Sequence, residues 1–154
     1  KIGLVNIDNK PGNAAKIFSH LAKAKVVIND IVQTEVSEEK ANLSFTVSSS
    51  DRKPAKEAID ELKGELNFED VFVRDDIAEI SIVGVGMRSH IGVADKMFSS
   101  LAETKINIDS ITTSEIRISC IVDQKDGEDA LKVLCKAFEL DKKAENRTKV
   151  KYFD

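Results

Sequence analysis

The chain has 154 residues, 42% hydrophobic and 32% charged, with a net charge of -4. That make-up suits a soluble globular protein of two small units, and no run is long and apolar enough to cross a membrane. Lysines and arginines scattered among acids argue against a nucleic-acid surface, which needs clustered cations for phosphates.

In chain order, Ile2 to Ile7 is a short apolar run, read as a buried strand, and Asp8-Asn9-Lys10-Pro11-Gly12 breaks it with turn residues. Ala14, Phe18, Leu21 and Ala22 recur at three- and four-residue spacing, the stripe of an amphipathic helix. Val26 to Gln33 is rich in β-branched residues, and Leu43, Phe45 and Val47 alternate with polar neighbours. The two predict a hairpin around the tip Ser-Glu-Glu-Lys-Ala-Asn. Pro54 suits a first helical turn, with Ala58, Ile59 and Leu62 on one face, and Val71 to Val73 is a last short strand.

The order then repeats: a strand at Ile80 to Val85, a helix at Val93 to Ala102, and strands at Ile106 to Thr112 and Ile116 to Val122. A helix carrying Ala130, Leu131, Leu134 and Phe138 follows, and a closing strand is expected at Lys149 to Phe153. Aligning residues 10–35 with 90–115 pairs Gly12 with Gly92, Phe18 with Phe98, Leu21 with Leu101, Lys25 with Lys105 and Glu35 with Glu115, an offset of 80 throughout. The offset is 78 before the loop (Ile7 with Val85) and 75 beyond the hairpin (Val47 with Val122), so length changes fall in loops. The expected architecture is α+β: two βαββαβ ferredoxin-like domains, residues 1–76 and 77–154, each an antiparallel sheet with helices on one face. Val71 to Val73 either closes its own unit or exchanges with the next.

The stretch Gly84 to Phe98, GVGMRSHIGVADKMF, reads as a strand ending at two glycines, a polar loop, and a helix opening on Gly92. Glycine lets the backbone bend sharply and approach a ligand, and the first-turn N–H groups of the helix point outward unpaired, where a carboxylate fits. Other chemistries fit less well. The central strands lack the aromatics of an RNA-binding sheet, and neither loop has a Cys-x-x-Cys or ends in Gly-Lys-Ser/Thr. A dinucleotide fingerprint needs glycine where Ser89 stands. Cys120 and Cys135 lack metal or redox spacing and are expected as reduced core residues, and no catalytic constellation includes His20 or His90.

Together, NKPG and AAKIF in the first copy and SIVGVGMRSHIGVADKMF, KINID and SITTSEIRIS in the second resemble the tandem ACT domains of the regulatory region of aspartate kinase. The resemblance covers nearly the whole chain. It implies a chain without catalysis of its own, which binds threonine, lysine or both and transmits feedback inhibition to the phosphorylation of aspartate in lysine, threonine and methionine biosynthesis. ATP and magnesium would belong to the kinase domain, and this chain needs no cofactor or metal. It would be either a separate regulatory subunit or the C-terminal part of one polypeptide; the start at Lys1 suits an excised piece. No secretory leader is visible, so a cytoplasmic location is expected. A homodimer through the ACT domains is expected from the exposed sheet edges of so small a unit. A stand-alone ACT pair serving another enzyme or a transcription regulator is the alternative, and a small phosphatase on the same fold comes third.

Carried over position by position, the resemblance implies a threonine-like site at Asn9, Gly12, Asn13 and Ala14 with Gln33, and with Asn107 and Ile108 from the second repeat. Family members often carry Asp directly before Lys-Pro-Gly; here Asn9 stands there, with Asp8 one position earlier. An amide oxygen remains to accept from an ammonium, without the full charge. The lysine-like positions implied are Met87, Ser89, His90, Gly92, Val93 and Ala94, with Ser114 and Glu115 on the following strand. Glu115 is either a partner for a lysine side chain or a surface charge at a strand end, as Glu35 is in the first copy.

Overall fold

The computed structural model describes residues 1–84 and 91–140. Its contacts divide the chain into two units, Lys1–Asp75 and Asp76–Asp154.

Unit 1 runs β1 (Ile2–Asp8), α1 (Asn13–Lys23), β2 (Ile28–Glu35), β3 (Lys40–Val47), α2 (Arg52–Asp60) and β4 (Asp70–Val73). The sheet order is β2-β3-β1-β4, antiparallel throughout. Ile2 lies opposite Phe45 and Leu4 opposite Leu43, so these four share a face. They form one core with Ile17 and Leu21 of α1 and Ala58, Ile59 and Leu62 of α2 and its exit, so both helices cover that face. The Phe18 ring meets Phe45 edge-on at 6.1 Å. On the opposite face, a Cβ at Gly3 would lie 2.2 Å from the Phe72 ring, so the glycine leaves room for that side chain. β4 pairs with β1 of its own unit.

Unit 2 runs β5 (Ile77–Val83), α3 (Val93–Glu103), β6 (Ser110–Thr113), β7 (Arg117–Asp123) and α4 (Gly127–Ala137), with sheet order β5-β7-β6. Ile80, Ile118, Cys120 and Val122 pack with Met97, Leu101, Ala130 and Leu134. Cys120 is fully buried, and that burial pushes its thiol pKa up to about 11; Cys135 is half-buried, and both are free thiols. The expected strand Lys149 to Phe153 lies outside the described residues.

The repeat is visible in burial as well as in sequence: the pattern over residues 11–20 recurs position by position over 91–100. Both helices also end alike. Lys25 and Lys105 adopt left-handed φ of 58° and 59°. Their N–H groups donate to Ala22 and Ala102, while those of Val26 and Ile106 donate to Leu21 and Leu101. This is the Schellman ending, in which the residue after the left-handed one packs back on the last turn.

That ending corrects two expected strand starts. Val26 and Ile106 are consumed in closing a helix, so β2 begins at Ile28 and β6 only at Ser110. The extra length of the first hairpin is not all tip: Lys40, Ala41 and Asn42 already belong to β3, and the turn is confined to residues 36–39. The α1 stripe centres on Ile17 and Leu21, and Ala22 is exposed. Of the apolar residues that α4 carries, Leu131 is 54% exposed, because it is rotated about 100° from Ala130, which with Leu134 faces inward.

Candidate functional site

The end of β1 is re-aimed before the loop begins. Its pairing with β3 shifts between Leu4 and Ile7, and Asn6 within that bulge holds φ at 50°. The Asn6 N–H donates to Asn42 Oδ1 at 2.9 Å, and its side-chain amide donates to the Glu69 carboxylate. The chain then turns through residues 9–12 into α1. Gly12 sits at φ 94°, a conformation that an L side chain strains to reach, and no side chain caps the helix. The first helical bond runs from Lys16 N–H to Gly12 O, and the Asn13 N–H donates to the Lys10 carbonyl at 3.3 Å, which leaves the Ala14 and Ala15 amides of the first turn to face the loop.

Beside that helix start lies a cleft of about 310 Å³. Its floor is apolar, from Ile7, Ala41 and Leu43, and its walls are residues 8–14 and Gln33. Gln33 belongs to the cleft because β2 pairs it with Leu43, on the sheet face that carries the helices. The structure thus gathers Asn9, Gly12, Asn13, Ala14 and Gln33 around one space. The Asn13 amide is already engaged, donating to the Asp8 carbonyl at 2.7 Å and so fixing the loop against the helix. Asn9 and Gln33 are exposed, each with an amide that both donates and accepts.

Asp8, half-buried at the rim, is the hub of the loop. Its carboxylate accepts from Lys40 Nζ at 2.7 Å, Lys10 Nζ at 2.9 Å and the Asn67 amide at 3.2 Å. Its N–H donates to the Asn67 carbonyl at 3.1 Å. The ammonium of Lys40, then that of Lys10, lowers its pKa to about 2, and Asp8 in turn raises that of Lys10. Sequence reasoning passed over this network. The spacing of Asp8 and Lys10 is a weak local signal, and Lys40 and Asn67 come from distant stretches that only the folded sheet brings near.

Asn107 and Ile108 lie in unit 2 on the stretch between α3 and β6, rather than on a strand; Asn107 is exposed, and Ile108 packs partly on its own core. Gly92, at φ 98°, starts α3 without a side-chain cap, as Gly12 starts α1. Val93 and Ala94 form the first turn and pack on the unit 2 core. Met87, Ser89 and His90 lie outside the described residues. Ser114 and Glu115 sit in the β6–β7 turn and not on the strand: Ser114 N–H bonds the Arg117 carbonyl at 2.7 Å, and Glu115 is exposed at the tip.

The chemistry on offer in the unit 1 cleft is that of a small polar ligand with an apolar part. It combines helix-start N–H donors for a carboxylate, two-way amides for an ammonium or hydroxyl, and a short aliphatic floor. Among the described residues no helix is long and apolar enough to cross a membrane.

The ACT domain family matches residues 80–138. The chain is 38% identical over 146 residues to an aspartate kinase of Stutzerimonas stutzeri, covering 95% of this chain and 35% of that protein. It is 40% identical over 144 residues to an aspartokinase of Thermus thermophilus, covering 92% and 35%. It thus spans about a third of the length of the curated relatives it matches. Among solved structures, the regulatory subunit of aspartate kinase from Thermus thermophilus superposes with a TM-score of 0.83 at 39% identity, over 89% of this chain and 90% of that one. The match extends over almost all of a regulatory subunit and only a third of a whole kinase. This chain therefore belongs to the aspartate kinase family, as its ACT-domain regulatory part.

Proposed function

We propose that the chain senses threonine, lysine or both, and carries feedback inhibition to an aspartate kinase catalytic domain or subunit in the cytoplasm. The observation that carries this reading is the unit 1 cleft, where an uncapped helix start, Asn9 and Gln33 surround an apolar floor. A threonine there would place its carboxylate on the N–H groups near Gly12 and Ala14 and its methyl group over Ala41 and Leu43. The amides of Asn9 and Gln33 would take its ammonium and hydroxyl. Asn107 and Ile108 are assigned to the same effector by family resemblance alone. For a lysine-like effector we propose Gly92, Val93 and Ala94 with Met87, Ser89, His90, Ser114 and Glu115, the exposed Glu115 carboxylate meeting the side-chain ammonium. The units of two chains would pair through sheet edges, so that effector binding and dimerisation reinforce each other.

Calorimetry and thermal shift against a panel of free amino acids test this. Threonine, lysine or both should raise the melting temperature, by about 2.7 kcal/mol of added stability at a hundredfold excess over the dissociation constant. Gln33→Ala should weaken threonine roughly ten- to a hundredfold by leaving a charged ligand group unpartnered. A response to ATP with none to any amino acid would overturn the proposal. Sedimentation with and without effector checks the dimer.

A further inference from the structure

The Asp8 network carries more than loop structure. Lys10, which lines the cleft, and Lys40, at the start of β3, end their ammonium groups on the two oxygens of one carboxylate, that of Asp8, which also lines the cleft. Asn67 holds that carboxylate from a third segment, and Asp8's own N–H is tied to the same residue, so its position is set independently of the lysines. Glu39 adds a second negative charge in the field of Lys10. The rim therefore brings two acids against two bases, although two lysines beside a helix start would by themselves make an anion site.

We propose that Asp8 is a specificity-determining residue of the cleft: by holding the Lys10 and Lys40 ammonium groups on its two oxygens, it makes the site select a zwitterion over a simple anion. The inference rests on reading the cleft as an amino-acid site and goes beyond it, because Asn9, and not Asp8, occupies the position that the resemblance assigns to ligand binding. The physical step is direct. With Asp8 in place, a ligand carboxylate meets lysines that are already neutralised, and an ammonium on the ligand meets no excess of positive charge. With Asp8 neutral, the lysines lose their partner, an entering carboxylate gains two cations, and an entering ammonium is repelled.

The test compares threonine with 3-hydroxybutyrate, which keeps the carboxylate, hydroxyl and methyl but lacks the ammonium. Both are titrated by calorimetry into the parent chain, Asp8→Asn, and the opposite variant Lys10→Gln/Lys40→Gln. The parent should prefer threonine. Asp8→Asn should shift the affinity ratio at least about tenfold toward 3-hydroxybutyrate, with a salt dependence typical of exposed charges, and the double variant should shift it the other way. A merely structural role would weaken both ligands together in every variant and leave the ratio fixed, which would overturn the proposal. A second measurement does not depend on amino-acid binding: sulfate should raise the melting temperature of Asp8→Asn more than that of the parent. Removing both lysines from Asp8→Asn should abolish that gain. If the parent binds no amino acid, the sensing function fails, while the sulfate response still decides whether Asp8 masks the lysines. Equal sulfate responses in parent and Asp8→Asn would refute the masking.

Discussion

The loop-to-helix segments of the two units start from the same geometry and diverge in chemistry. Gly12 and Gly92 hold φ of 94° and 98°, neither helix has a side-chain cap, and each helix ends on a left-handed lysine. Around that shared frame the rim residues change. At the offset of 80, Gln33 opposite Leu43 is matched by Thr113 opposite Ile118. Lys10 is matched by His90 at the same offset, and Asp8 by Gly86 at the offset of 78. Lys40 falls in the extra length of the first hairpin, where the second copy already turns at residues 115–116. The lesson is that packing residues of a repeat are held together by the core, while loop and edge residues have no such duty and are free to carry a different ligand chemistry in each copy.

The largest expected effect tests the shared frame. Leu21 and Leu101 are both fully buried, so Leu21→Ala and Leu101→Ala should each cost about 2–5 kcal/mol in urea unfolding. A loss below about 1 kcal/mol in one of them would break the equivalence of the helices.

Gly127 sharpens a difference between the units. A Cβ there would lie 2.8 Å from the Ala78 Cβ, which has no rotamer by which to escape, whereas the corresponding place in unit 1 is taken by Arg52, ion-paired with Asp75. Gly127→Ala should cost about 1–3 kcal/mol by thermal or chemical melting. Gly3→Ala should cost less, since Phe72 is 38% exposed and its ring can swing outward. The reverse ranking would mean that Phe72 is fixed in place.

Lys25→Gly and Lys105→Gly should each stabilise the protein by up to about 1 kcal/mol, because glycine reaches the left-handed region without strain and gives back part of that gain as unfolded-state entropy. Matching gains are expected from matching endings; a loss in one would show that its lysine side chain contributes packing.

The smallest stability effect is expected at Asp8, because Lys10 is largely exposed to solvent. The folded-state pKa lies at about 2, below the ordinary 3.8, so the carboxylate's contribution is present above the unfolded value and fades as pH falls through 2. The parent should therefore exceed Asp8→Asn in stability at pH 5, and the gap should close toward pH 2. A gap independent of pH would assign the effect to shape and not to charge.

Much of this was legible in the chain itself. Apolar periodicity placed the helices, the offset of 80 exposed the repeat, and Gly12 and Gly92 marked the helix starts, because these signals are local and each residue carries its own preference. The cleft was partly legible: its loop residues were read from turn chemistry and from family resemblance, and Gln33 from resemblance alone. What only the tertiary structure decided depends on partners distant in sequence. Strand starts moved because Val26 and Ile106 were claimed by Schellman contacts with Leu21 and Leu101, an outcome that β-propensity does not encode. Gln33 faces the loop through its pairing with Leu43. Asp8 meets Lys40 and Asn67 across 32 and 59 residues. The charge of the rim is a property of that encounter, since an ion pair depends on distances that the sheet sets and that no local pattern records.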